Sequence, residues 1–211
     1  MNATAPNGDK ASLSTNSIHS IGHSNQPLEH FTQLLRQSQI ETVADVRSEP
    51  HSRYSPHFDR ERLRPALEHE DIRYVFLGKA LGGRPAGEAY YDSTGRVCYD
   101  RVAQSRFFRD GIQSLREAVA TSRVAIMCSE EDPHECHRYL LVSRVLEGEG
   151  IQVSHIRGDG RIQTAGEIEE EAARRRGEAG QLMLFEPTEE APWRSIRSVS
   201  PKKARPTSSG R

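Results

Sequence analysis

No stretch of this 211-residue chain approaches the roughly 18 apolar residues that a membrane-crossing helix needs. Residues 1–17 are polar and lack the apolar centre of a secretory signal. A cytoplasmic protein that does not engage a membrane is therefore expected. Cysteine is scarce and odd in number, Cys98, Cys128 and Cys136 being the three present. That argues against a disulfide framework in a chain long enough to build a core, and it leaves thiol or metal chemistry open. Apolar residues make up only 35% of the chain against 28% charged, so part of it is not expected to be buried, and the ends are the first candidates. Gly82-Gly83-Arg84-Pro85 lacks the Gly-Lys-Ser/Thr ending of a phosphate-binding loop, which removes the main sequence reason for expecting ATP hydrolysis. Acid is missing altogether from residues 191–211, where Arg194, Arg197, Lys202, Lys203, Arg205 and Arg211 stand. This local excess suits a polyanion, although a merely solvated tail has the same composition.

What is present reads as alternating strands and helices. Residues 1–16 form a polar leader with no apolar period, expected to be disordered. Ile18 and Ile21 mark a short strand ending at Gly22-His23-Ser24-Asn25, with Asn25 as a helix cap, and Leu28, Phe31, Leu34 and Leu35 follow at helical spacing. Thr42 to Val46 reads as a strand, Asp59 to His69 as a helix and Ile72 to Phe76 as a strand. A glycine-rich loop from Gly78 to Gly87 precedes a helix marked by Val102, Phe107, Ile112, Leu115 and Val119, weakened by Gly111. Val124 to Cys128 is a continuous apolar run, typical of a strand buried on both faces. Leu140, Leu141, Val145 and Leu146 form a helical stripe before a last strand at Ile151 to Ile156. The order predicts a three-layer Rossmann-like α/β fold over residues 17–160, with a mostly parallel sheet and helices on both faces. Residues 161–180 read as a charged helical spacer opened by a Thr164/Glu167 capping box, with Glu170–Arg174 and Glu171–Arg175 pairs. A short apolar peptide occupies 181–186, and 187–211 reads as a disordered basic tail.

In such sheets ligands sit at the carboxyl ends of the strands, where this sequence concentrates His23, Asp45, Arg47 and Cys128. Cys128 closes a buried strand, while Cys136-His137-Arg138 opens a helix, where backbone amides favour anions and lower a thiol pKa. A thiolate beside His137 is a competent nucleophile, so Cys128, His137, Asp45 and His23 are the catalytic candidates. Arg47, Arg53, Arg84 and Arg138 are the candidates for holding a phosphate or carboxylate. Two other readings stay open: Cys128 as a small buried apolar residue with His137 a polar helix start, and metal binding by Cys128, Cys136 and His137. The metal reading is weaker because adjacent Cys-His lacks the spaced pairs of common structural zinc sites. No cofactor is predicted, with a divalent metal left open.

Ser20-Ile21-Gly22-His23-Ser24, Val43-Ala44-Asp45-Val46-Arg47 with Pro50 and Ser52-Arg53, Leu77-Gly78 with Leu81-Gly82-Gly83-Arg84, and Cys128 with Cys136-His137-Arg138 closely resemble the domain-of-unknown-function 488 family. The likeness runs from about Ser17 to Gly160 and implies an α/β fold with a motif-lined pocket, without an established activity. A weaker likeness to rhodaneses and related phosphatases rests on the Asp-Val-Arg strand and the strand-ending Cys. Here the loop from Cys128 to Arg138 is longer and acidic rather than a short cradle of amides.

Gln181-Leu182-Met183-Leu184-Phe185 is similar to the peptides by which bacterial polymerases and repair proteins bind the sliding clamp. Leu184 and Phe185 suit an apolar pocket, Gln181 its polar rim, and Leu182 completes the pattern. The expected partners are therefore the bacterial sliding clamp and DNA or a nucleotide. The expected function is a DNA-repair or DNA-processing enzyme, against two alternatives: a clamp-associated nucleotide- or DNA-binding adaptor without turnover, and a rhodanese-like small-molecule thiol enzyme.

Overall fold

In a computed structural model that describes residues 16–177 and 192–201, β1 (Ser17–Gly22), β2 (Thr42–Asp45), β3 (Arg73–Phe76), β4 (Val124–Cys128), β5 (Gln152–Ile156) and β6 (Ile162–Thr164) form one sheet in the order β3-β2-β4-β1-β5-β6. Every pairing is parallel except β5 with β6. The apolar run of β4 fills its place at the centre by facing both ways. Val124, Ile126 and Cys128 point into one core, and Ala125 and Met127 into the other.

Against the first face lie α3 (Gly78–Leu81), α4 (Tyr99–Gln104), α5 (Arg106–Val119) and α6 (Arg144–Gly148), which contribute Leu81, Val102, Phe108, Leu115 and Leu146 to that core. The other face is covered by α1 (Leu28–Gln37) and α2 (Arg60–His69) through Phe31, Leu35, Leu63 and Leu67. This is the three-layer arrangement expected of alternating strands and helices. The chain leaves β1 and β2 toward one face and β4 toward the other. Their carboxyl ends therefore diverge around β4, at the kind of topological switch point where ligands bind in open α/β sheets.

Several boundaries differ from expectation for identifiable reasons. Pro27, not Asn25, stands at the cap of α1 and makes no side-chain cap bond there. The helix expected around Val102 to Val119 is broken in two at Ser105, whose hydroxyl accepts the Phe108 N–H to open α5. Gly111 is a packing requirement rather than a weakness, since a Cβ there would lie 2.7 Å from Leu81 and 2.8 Å from Ala80 of α3. After β5 the chain adds the antiparallel β6 and then α7 (Ala165–Arg176), opened by the expected Thr164/Glu167 capping box. Ile168 and Ala172 of α7 are buried against the domain, so this helix is docked and not merely solvated. The Glu171–Arg175 pair forms at 3.2 Å.

Residues 192–201, expected within a solvated tail, also run along the domain. The Trp193 indole N–H donates to the Leu140 carbonyl at 2.7 Å, and the Trp193 carbonyl accepts from Tyr99 N–H at 2.9 Å. Ser195 exchanges bonds with Val97, its hydroxyl accepting from Val97 N–H and its own N–H donating to the Val97 carbonyl, both at 2.9 Å. Arg194 pairs with Asp92 at 3.1 Å. The clamp-like residues 181–185 lie outside the described residues.

The end of β1 is tight. A Cβ on Gly22 would lie 1.9 Å from the Glu130 carbonyl oxygen, so only glycine lets the loop after β4 close over β1. Gly22→Ala is expected to lower stability by about 1–3 kcal/mol. In urea denaturation this appears as a lower midpoint at unchanged slope, and an unchanged midpoint would show that the loop does not need this contact.

Candidate active site at the end of the central strand

Of the predicted site residues, His23, Asp45 and Arg47 meet as one buried network. Asp45 and Arg47, at 0% and 3% exposure, form an ion pair with Arg47 Nε 2.9 Å from Oδ1 and an Nη 2.6 Å from Oδ2. Tyr74 donates to the same carboxylate at 2.6 Å, and Arg47 donates further to the Phe58 carbonyl and to His23 Nε2, each at 3.0 Å. His23 Nδ1 lies 2.7 Å from the Ser24 carbonyl, and its ring stacks on Phe58 with centroids 4.3 Å apart. His23 is thus the neutral tautomer, donating from Nδ1 and accepting at Nε2. Burial first, and the Arg47 charge second, lower its pKa to about 4. The trio fixes the floor of the site, with Asp45 orienting Arg47 and only Arg47 also lining the cleft above.

Cys128, Cys136 and His137 converge. Both sulfurs and one ring nitrogen lie within 4.8 Å of one another, with His137 Nδ1 3.8 Å from Cys128 Sγ and 3.9 Å from Cys136 Sγ. Cys128 comes from the end of β4. Cys136 and His137 are the two residues immediately before the π-helical segment Arg138–Ser143, which continues into α6. His137 Nε2 donates to the Val46 carbonyl at 3.1 Å, which leaves Nδ1 facing the sulfurs. Gly83 makes room for the ring, because a Cβ there would lie 2.8 Å from His137 Cγ and Nδ1. Glu130, absent from the predicted set, joins the cluster with Oε2 3.0 Å from Cys128 Sγ and 3.2 Å from Cys136 Sγ. Its signal in the sequence was position alone, two residues beyond the end of a buried strand.

The other acids of this loop do not face the sulfurs. Arg157 holds Glu131 through two bonds of 2.9 Å, and Arg175 pairs with Asp132. Arg138 is fully buried and donates to the carbonyls of Glu130 and Glu131 and to the Ser20 hydroxyl. It organises the loop from below and is not among the cleft-lining residues. Ser20 in turn lies 2.6 Å from His155 Nδ1.

The two thiols share one easily lost proton. Burial opposes ionisation of Cys136, but the Cys128 hydrogen bond, the Arg138 charge and His137 outweigh it and hold this thiol well below its usual value. The hydrogen bond to Cys136, followed by burial, pushes Cys128 up. Burial also raises the Glu130 carboxyl. For His137 the effect of burial is overcome by Cys136, and its pKa rises.

Above the cluster opens a cleft of about 450 Å³. Cys128, Glu130 and His137 form its floor, and Arg84 and residues 195–199 stand among its walls. Arg84 is exposed, and its guanidinium has no hydrogen bond or ion pair among the described residues. Arg197 pairs with Glu135 at 2.8 Å. Arg53 is exposed and does not line the cleft. The wall formed by residues 195–199 was not anticipated, since only their basic composition showed in the sequence.

A three-layer α/β sheet carrying two thiols, an imidazole and a carboxylate in an open cleft at its strand ends defines a Rossmann-like domain with a chemically equipped site. The chain belongs to the domain-of-unknown-function family DUF488, whose profile matches residues 27–145, more than half of the chain. The match includes Asp45 to Arg47, Gly82 to Arg84 and Cys128 to Arg138, and the β1 residues lie ahead of it. No curated protein and no solved structure matches the chain.

Replacing Arg47 with Met strands Asp45 in the interior without its charge partner, and a loss of about 3–5 kcal/mol is expected by chemical denaturation. The combined Asp45→Asn/Arg47→Met change should recover part of that loss, and full additivity of the two would dissolve the pair. His23 and His155, the latter held at about 3 by burial and then Arg138, are neutral bases in the fold. A depressed pKa contributes stability that is whole above the ordinary histidine value of 6.5 and lost as pH falls toward about 4 and 3. The His23 share alone is about 3 kcal/mol. Urea midpoints measured between pH 7 and pH 4 should fall steadily, whereas a flat profile would show that neither ring is held neutral.

Proposed function

We propose that this protein is an enzyme of bacterial DNA metabolism that acts on a phosphate-bearing substrate in the cleft and is carried to DNA by the sliding clamp. The enzymatic half of this reading rests on one observation, the convergence of Cys128 Sγ, Cys136 Sγ and His137 Nδ1 within 4.8 Å, with Cys128 and His137 lining an open cleft. Packing alone does not require two thiols, an imidazole and a carboxylate to share one point. Clusters of titratable groups with shifted pKa values are concentrated at functional sites. In this scheme Arg84, exposed and with its guanidinium unpaired among the described residues, and Arg197 hold the anion. Arg47, fixed by Asp45 and His23, supplies positive charge from the floor.

The DNA half is supported by the sequence Gln181-Leu182-Met183-Leu184-Phe185 and by the basic residues from Arg194 onward. A clamp peptide gives a processing enzyme a high local concentration at replication and repair sites without any base-specific contact.

Calorimetric titration of the full-length protein with bacterial sliding clamp should show micromolar binding, about −8 kcal/mol, that disappears in Leu184→Ala/Phe185→Ala. In cells challenged with DNA-damaging agents, Cys128→Ala/His137→Ala and deletion of 181–185 should each reproduce the sensitivity of the gene deletion. A wild-type protein that ignores the clamp loses its place in DNA metabolism. A cluster variant that protects cells as well as wild type would make the protein a non-catalytic clamp adaptor.

A further inference from the structure

The cluster has the form of a metal site. We infer that Cys128, Cys136 and His137 bind one divalent ion of the zinc class, with Glu130 at the remaining, cleft-facing position. This deepens the enzymatic reading of the same site, but binding of the ion is independent of the role in DNA metabolism.

Separation of the donors is the first reason. An ion about 2.3 Å from a thiolate sulfur and 2.0–2.1 Å from an imidazole nitrogen, with tetrahedral angles, places sulfur and nitrogen about 3.6 Å apart. The two sulfur–nitrogen separations here are 3.8 and 3.9 Å, so a contraction of a few tenths of an ångström brings the imidazole to ligand spacing from both sulfurs, and the sulfurs themselves lie no more than 4.8 Å apart.

The second is the orientation of the imidazole. A metal-bound histidine ordinarily donates its other N–H to a carbonyl or carboxylate, which fixes the tautomer and aims the lone pair. His137 donates from Nε2 to the Val46 carbonyl and turns Nδ1 to the sulfurs. The ring is held in that orientation by the close approach of Gly83.

Charge is the third. With a metal bound both sulfurs are thiolates, and these repel one another and the neighbouring Glu130 carboxylate unless cations stand among them. Arg157 and Arg175 are engaged by Glu131 and Asp132, so they leave Glu130 and the sulfurs to be neutralised by other means. Arg138 supplies one positive charge from beneath, and a divalent ion supplies the rest. Two soft sulfurs and one imidazole favour zinc over magnesium or calcium, which take oxygen ligands. The spacing of the cysteines, with seven residues between them in sequence, is not that of a paired-cysteine zinc loop. A strand end and a helix start bring them together instead. Cys128, Glu130 and His137 line the cleft while Cys136 does not, so Glu130 is the ligand that stands between the ion and a substrate and would have to be displaced for the ion to be reached.

The test uses the full-length protein, stripped with a chelator and titrated with cobalt(II) and zinc(II). One equivalent of cobalt should produce thiolate-to-cobalt charge-transfer absorption with the intense visible bands of a tetrahedral ion, and zinc should bleach both. Zinc should also slow iodoacetamide alkylation of Cys128 and Cys136 at least about tenfold, because the thiolate that reacts is the one that binds metal. Cys98, buried outside the cluster, serves as the internal reference for mapping the labelled peptides. Cys136→Ser should lose the cobalt bands. Glu130→Gln should keep the stoichiometry but bind measurably more weakly, because a charged ligand is replaced by a neutral one. Should Cys136→Ser fail to fold by circular dichroism, the alkylation measurement on wild type still decides. Folded wild type with no cobalt bands, and with both thiols alkylated equally fast with and without zinc, would overturn the inference and leave a metal-free Cys136–His137 ion pair. Metal uptake without clamp binding would keep this site and remove the DNA role, while clamp binding without metal uptake would do the reverse.

Discussion

The guanidinium of Arg138 ties together three parts of the chain. From the start of the π-helical segment it reaches the carbonyls of Glu130 and Glu131 in the loop after β4, and the Ser20 hydroxyl on β1. A fully buried arginine is costly unless its donors are taken up, and here backbone carbonyls take up two of its arms. That requirement folds the acidic loop back on itself, placing Cys128 at its start and Cys136 at its end side by side. Gly22 yields the space for this loop, and Arg157 and Arg175 draw aside the two acids that would otherwise crowd the sulfurs. The cluster is therefore a product of buried ionic packing as much as of local sequence.

A second ionic unit, Asp45 with Arg47, does comparable work on the neighbouring strand. It is satisfied on every side by Tyr74, the Phe58 carbonyl and His23. Together the two units give the strand carboxyl ends a rigid, polar floor in which charges are fixed before any ligand arrives. Such preorganisation is what distinguishes a site from a patch of polar surface.

The alternation of strands and helices was legible because the periodicity is strong. The doubly apolar run of β4 and the stripes of α1 and α5 could hardly be read otherwise, and the parallel sheet follows from their order. Less legible were elements held by few apolar residues. The strand β6 has three residues, α7 buries only one side, and residues 192–201 look like a basic tail until Trp193 and Ser195 are seen to dock. In the site, Cys128, His137, Asp45, His23 and Arg47 were legible because strand ends concentrate ligands in this class of fold. The division of labour among the arginines was not. Sequence assigns the same anion-holding role to Arg47, Arg53, Arg84 and Arg138, whereas only burial and partners separate a packing cation such as Arg138 from an exposed one such as Arg84. Glu130 was passed over because it is one acid among several in a run, and its direction depends on backbone that sequence does not reveal.

Trp193 is the sole tryptophan of the chain. Its indole is tied to the Leu140 carbonyl in the segment that follows Cys136, lies under the Arg144 guanidinium with 4.8 Å from Cζ to the ring centroid, and meets Tyr99 edge-on at 6.1 Å. The protein thus carries a built-in optical probe at the seam between residues 192–201 and the helix start that presents the cluster. Its emission is sensitive to lifting of that segment and to displacement of the helix start. Events at the cleft are therefore open to stopped-flow fluorescence on the unlabelled protein, with no second tryptophan to dilute the signal.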